Sequence, residues 1–107
     1  MNITKVQIHL VKNPDTKGYA DIILDNEFIV RGLTIIERDD GVTVVNMPNK
    51  ERKDPRAIGG FRRLDVAHPI TEPCRRYIEN TVLDEYEVVL TSLEIKKPVA
   101  NIRQVVV

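Results

Sequence analysis

The sequence predicts an α+β fold: a small antiparallel β-sheet of four to five strands, covered by a C-terminal α-helix, with a basic loop between the last strands and the helix. Three observations predict it. Apolar and polar residues alternate with period two through much of the chain up to Met47, the pattern of half-buried strands. Clusters of turn formers interrupt that alternation at short intervals. After residue 70, Cys74, Ile78, Val82 and Tyr86 recur every four residues, a stripe able to lie on the apolar face of a sheet.

Each element has its own signal. Over residues 3–11, Val6, Ile8 and Leu10 fall on one face and Lys5, Gln7 and His9 on the other, which makes the first strand. Asn13-Pro14-Asp15-Thr16-Lys17-Gly18 is a turn, and Ala20, Ile22 and Leu24 then alternate with Tyr19, Asp21 and Asp25 to complete a hairpin. Asp25-Asn26-Glu27 forms a tight turn into a third strand, Phe28 to Glu37, in which Gly32 marks a bulge or a close backbone approach. Asp39-Asp40-Gly41 turns into a fourth strand, Val42 to Met47. Residues 48–60 are charged and punctuated by Pro48, Pro55, Gly59 and Gly60, and read as an exposed, mobile loop. A short strand or bridge at Leu64, Val66 and Ala67 follows. Thr71 is a good N-cap for the helix, with Glu72 and the tolerated Pro73 in its first turn. Beyond Tyr86 the pattern weakens, although Val88-Val89-Leu90 can extend the helix, and Val99 to Val107 is strand-like.

A chain of 107 residues, 42% of them apolar, is one domain with enough apolar material for a core. Domains of this size leave much surface exposed, and a meander has open edges, so a homodimer is expected. Lys plus Arg and Asp plus Glu both number 16, but the balance is uneven. From Lys50 to Arg76 eight basic residues face four acids, a local net of +4, which leaves the other 80 positions with eight basic residues against twelve acids, or −4. This basic middle, concealed by a neutral total, is the first functional clue in the sequence.

Cys74 is the single cysteine, which excludes an intramolecular disulfide and a Cys pair for metal or redox work and fits a reducing compartment. The start of the chain lacks the basic-then-apolar pattern of a secretory leader, and no apolar run approaches about 18 residues. A cytoplasmic protein without membrane contact is expected.

Several strings between Ala20 and Tyr86 resemble the stage V sporulation protein G (SpoVG) family of small bacterial regulators, also named septation proteins. They are Ile23-Leu24-Asp25-Asn26-Glu27-Phe28-Ile29-Val30, Val45-Asn46-Met47-Pro48-Asn49-Lys50, Asp65-Val66-Ala67-His68-Pro69-Ile70, and Arg75 followed by Ile78, Val82-Leu83 and Glu85-Tyr86. The resemblance covers about residues 2–87 and delimits a SpoVG-like domain at 1–87 from an extension at 88–107 that has no family counterpart. It implies a small antiparallel sheet with a C-terminal helix, dimerisation through sheet edges, and nucleic-acid binding that regulates gene expression. The family's basic contact region falls here on Lys50, Arg52 and Lys53, and its helix-start arginine on Arg75. The segment between Lys50 and His68 is longer than in the family, so residues 51–64 do not align one to one, and Arg76 and Tyr77 depart from the usual residues.

The residues by themselves leave two readings open. If the loop folds over the helix start, Lys50, Arg52, Lys53, Arg56, Arg75 and Arg76 form one patch that binds DNA, with RNA as a further candidate, through counterion release. The alternative is a solvated loop on a protein-interaction module that pairs a sheet edge, or its apolar tail, with another protein in septation or developmental control. Sequence-specific readout lacks support, because there is no helix-turn-helix spacing, zinc pattern or aromatic platform. Phe61, beside Arg62-Arg63, reads as a core anchor more readily than as a base-stacking ring.

An enzyme is not expected. His68 and Cys74 fall short of a four-ligand metal site and of an oriented nucleophile pair, so His68 is expected to bond locally and Cys74 to pack as a small hydrophobe. Asp21, Asp25, Glu27, Asp39 and Asp40 read as turn and solvent-face carboxylates. Gly59-Gly60 lacks the context of a phosphate-cradling loop, so no cofactor or small-molecule substrate is expected.

Overall fold

A computed structural model of the chain describes residues 1–96. The strands are β1 (Ile3–Leu10), β2 (Thr16–Leu24), β3 (Phe28–Glu37), β4 (Thr43–Asn46), β5 (Asn49–Lys53) and β6 (Phe61–Asp65), followed by the helix α1 (Glu72–Lys96). The first four form one antiparallel sheet in the order β1-β2-β3-β4, so every strand lies beside its neighbour in sequence. The strand-like reading of residues 99–107 lies outside the described residues.

Turn chemistry sets the register. Asp25 and Asn26 both take left-handed backbone conformations (φ 52° and 57°), which residues with short polar side chains tolerate. The Glu27 N–H donates to the Leu24 carbonyl at 2.9 Å to close the β2–β3 turn. The same turn holds the start of β1: Asp25 N–H donates to the Asn2 carbonyl at 2.8 Å, and Asn26 N–H to Thr4 Oγ1 at 3.0 Å. Gly32 does mark a bulge. The β2–β3 register shifts between Ala20 and Ile22, and Gly32, with φ 86°, is the residue that absorbs it.

The bulge creates the one buried charge of the core region. Asp21 is buried, contrary to its reading as a solvent-face carboxylate, because the extra residue in β3 folds backbone over it. Its carboxylate accepts the Gly32 N–H at 3.2 Å and faces His9 Nε2 at 3.4 Å and Arg31 at 3.7 Å. A buried carboxylate is tolerated when donors surround it in this way.

The apolar face of the sheet contributes Ala20, Ile22, Leu33, Ile35 and Val45, with Met47 just beyond β4, and the helix contributes Ile78, Val82 and Tyr86. This is the predicted stripe, with Cys74 packed at its head as a partly buried residue. Burying an aliphatic side chain of this size stabilises the fold by about 1.5–3 kcal/mol, so the helix is held by this face more than by intrinsic propensity. Thr71 caps it: its Oγ1 accepts the Cys74 N–H at 3.2 Å. Tyr77 ties the helix to the sheet, its hydroxyl accepting the Ile3 N–H at 2.8 Å. The helix continues without interruption through residues 87 and 88.

The principal correction concerns residues 48–65. The expected loop is a second, two-stranded sheet, β5 paired with β6, from Asn49 opposite Asp65 to Lys53 opposite Phe61. Both sides of this ribbon meet solvent, so it carries no hydrophobic alternation, and Asn-Lys-Glu-Arg-Lys reads as a loop. Backbone pairing forms it, together with a tight turn that begins at Asp54 and ends at Gly60. A bond from the Val66 N–H to the Pro48 carbonyl at 2.7 Å closes its base.

Candidate functional site

Pairing decides how the predicted cations are distributed. Directly opposed residues of an antiparallel pair share a face. Lys50 opposes Leu64 and Arg52 opposes Arg62, so one side of the ribbon carries Lys50, Arg52 and Arg62 with no acid among them. The other side carries Lys53 and Arg63 against Glu51 and Asp65, with Asn49 and Phe61, and is neutral. Lys50 and Arg52 therefore stand together, and Lys53 is turned away from them. Arg56 lies in the turn at the tip.

Arg52 and Arg62 are held directly opposite one another, an arrangement that is destabilising for like charges. Asp54 answers part of it, its Oδ2 accepting from Arg62 at 3.2 Å. Arg52 has no such partner. Among the described residues, Lys50, Arg52, Lys53 and Arg56 make no ion pair, whereas Lys17 pairs with Glu37 and Arg38 with Asp40 on the four-stranded sheet. Unpaired cations concentrated on one ribbon are available to an external anion.

The helix-start arginines are separate from this surface. Arg76 pairs with Glu72 at 3.3 Å across one turn, and Arg75 is half-buried without an ion pair among the described residues. The helix packs on β1 and β4, and no comparable packing joins it to the ribbon. The ribbon pairs with itself, so the cations expected to form one patch divide between it and the helix start. His68 bonds locally, Nδ1 donating to the Pro69 carbonyl at 3.1 Å.

Three features escaped the sequence reading. Arg62 joins Lys50 and Arg52 only through strand register, which an apparent loop does not reveal. Arg63 donates to Asn49 Oδ1 at 2.7 Å and lines, with Tyr19, Thr34, Asn46 and Asn49, an open groove of about 480 Å³ on the sheet face opposite the helix. Phe61, expected in the core, is about half exposed (47%), and Ile58 at the ribbon tip is fully exposed (102%). The sole signal for Ile58 in the sequence was an aliphatic residue beside Gly59-Gly60.

No group of three or more His, Cys, Asp or Glu among the described residues is placed to hold a metal ion. None of their helices is long and apolar enough to cross a membrane.

The sequence profile of the SpoVG family matches residues 1–88. The chain belongs to the SpoVG family. Relatives named septation protein SpoVG include one from Bdellovibrio bacteriovorus, 40% identical over 93 residues that cover 87% of this chain and 80% of the relative. Another, from Archaeoglobus fulgidus, is 40% identical over 86 residues, covering 79% of this chain and 93% of the relative. A third, from Exiguobacterium sibiricum, is 40% identical over 89 residues, covering 82% of this chain and 80% of the relative. The SpoVG match ends at residue 88, inside α1, whereas the helix itself runs to Lys96.

Proposed function

We propose that this SpoVG-family chain is a nucleic-acid-binding regulator of gene expression that acts as a dimer and works by binding, without catalysis. The observation that carries the reading is the cationic side of the ribbon, where Lys50, Arg52 and Arg62 are displayed together and Arg52 lacks an acidic partner among the described residues. A phosphate placed between Arg52 and Arg62 relieves their mutual repulsion, so the bound state gains what the free state lacks. Arg56 at the tip and Lys53 on the far side extend the contact along a backbone. Arg75, without an ion pair among the described residues, and Arg76, which shares Glu72, form a second and weaker contact at the helix start. The setting is the cytoplasm, a reading supported by Cys74 being the sole cysteine.

Fluorescence anisotropy against labelled duplex DNA and single-stranded RNA across a salt series tests this. The expected result is a steep fall of log affinity with log salt, with a slope that Lys50→Ala combined with Arg52→Ala reduces by about 1.8 on B-DNA, for two lost phosphate contacts. The better polymer identifies the target. Light scattering is expected to give about 24 kDa, twice the 12.2 kDa of one chain.

A second reading, an interaction module acting in septation, draws on the outer positions of β1 and β4 in the sheet and on the relatives' name. It becomes the leading one if neither polymer binds at low salt.

A further inference from the structure

We infer that the ribbon tip is an apolar wedge for duplex DNA, with Ile58 entering between base pairs from the minor groove while the ribbon cations hold the flanking phosphates. The inference rests on the nucleic-acid reading above and specifies how the ribbon engages its polymer.

Ile58 is the most exposed large hydrophobic residue of the described chain, at 102% of its reference surface. It caps an arm that carries six cations and two acids between Lys50 and Arg63. An aliphatic residue in that charge setting is suited to a partner that is anionic outside and apolar within, which describes stacked base pairs between phosphate chains. The charge disfavours an ordinary apolar protein pocket.

The tip is also built to hold its shape. Asp54 organises it: its Oδ1 accepts the Arg56 N–H at 3.0 Å, its carbonyl accepts the Ala57 N–H at 3.0 Å, and its own N–H donates to the Gly60 carbonyl at 2.9 Å. The Gly60 N–H closes the inner turn on the Ala57 carbonyl at 3.0 Å. Gly59 and Gly60 take φ of 85° and 79°, conformations strained for other residues, and so the chain reverses at once behind Ile58. A turn whose backbone is already held in this way loses little freedom when the side chain at its tip inserts.

The side chain selects the form of nucleic acid. A branched aliphatic group unstacks and props open a base step, whereas single strands are held on flat aromatic rings. The tip of a two-stranded ribbon is slender enough to follow a groove, and ribbons are an established way of entering duplex grooves.

The test uses the full chain and a set of end-labelled duplexes of about 30 base pairs, each with 2-aminopurine at a flexible pyrimidine–purine step. Binding of the wild type is expected to raise 2-aminopurine fluorescence in at least one duplex and to shorten the end-to-end distance read by energy transfer. Ile58→Ser, at a position without packing to lose, is expected to abolish both signals while keeping the salt slope, and Ile58→Leu to retain both. Salt-dependent binding by the wild type without either signal, or signals unchanged in Ile58→Ser, overturns the wedge and leaves the phosphate-binding reading standing. Absence of duplex binding at low salt overturns both.

Discussion

The helix-covered sheet and the β5–β6 ribbon are made of the same chain by opposite means. In the sheet, side chains from β2, β3, β4 and α1 meet in one apolar cluster, and the single buried charge, Asp21, is surrounded by donors. In the ribbon, backbone pairing and a turn organised by Asp54 hold strands whose side chains mostly face water and whose cations are mostly unpaired. One region buries its apolar side chains and surrounds its buried charge with donors, and the other leaves most of its cations without an ion pair. The difference teaches where a ligand would gain most: a group already matched within the fold has little to gain from one, and an unmatched one has much.

The comparison can be broken from the core side first. Leu33 has no exposure, and Leu33→Ala is expected to destabilise the whole chain by about 2–5 kcal/mol in denaturant titration, through lost transfer energy and the cavity left behind. Per folded molecule, nucleic-acid affinity should stay the same, and a parallel loss of affinity would show that the two regions are not separate. A smaller effect is expected at the seam between helix and sheet. Tyr77→Phe removes the acceptor for the Ile3 N–H and should cost about 1 kcal/mol, read as a shift of the unfolding midpoint with an unchanged slope. The smallest global effect is expected in the ribbon. Asp54→Ala should move global stability by less than about 0.5 kcal/mol, as for changes remote from a core. It should nonetheless accelerate exchange of the Ala57 and Gly60 amides, which the Asp54 turn orders. A large midpoint shift in Asp54→Ala would make the ribbon part of the cooperative core.

The four-stranded sheet and the helix were legible because burial leaves a period in the sequence. The stripe Cys74, Ile78, Val82 and Tyr86 and the alternation around Ala20 and Ile22 are each the imprint of a neighbour on one face. The ribbon was illegible for the same reason. Without a covered face, Lys50, Glu51, Arg52 and Lys53 show no alternation, and their pairing with Phe61 to Leu64 is fixed by backbone bonds that any residues could make. The six candidate cations were found from composition, but their division between two sides of a strand and the helix start depends on register. Arg62 was missed because only pairing places it opposite Arg52. Asp21 was misread because alternation assigns it to the outer face, and the Gly32 bulge then closes backbone over it.

The sequential order of the sheet has a kinetic consequence. Each pair β1–β2, β2–β3 and β3–β4 closes through a short connection, so most of the search for native contacts is local and its entropic cost is small. Docking of the helix is the step that waits: the Ile3–Tyr77 bond spans 74 positions in sequence. The ribbon is a hairpin with its own turn and need not wait for that docking. The chain should therefore gain its arm and its meander early and its helix cover late. Refolding rates slowed by changes in the β2–β3 turn, and left alone by Tyr77→Phe, would carry that order; the reverse pattern would refute it.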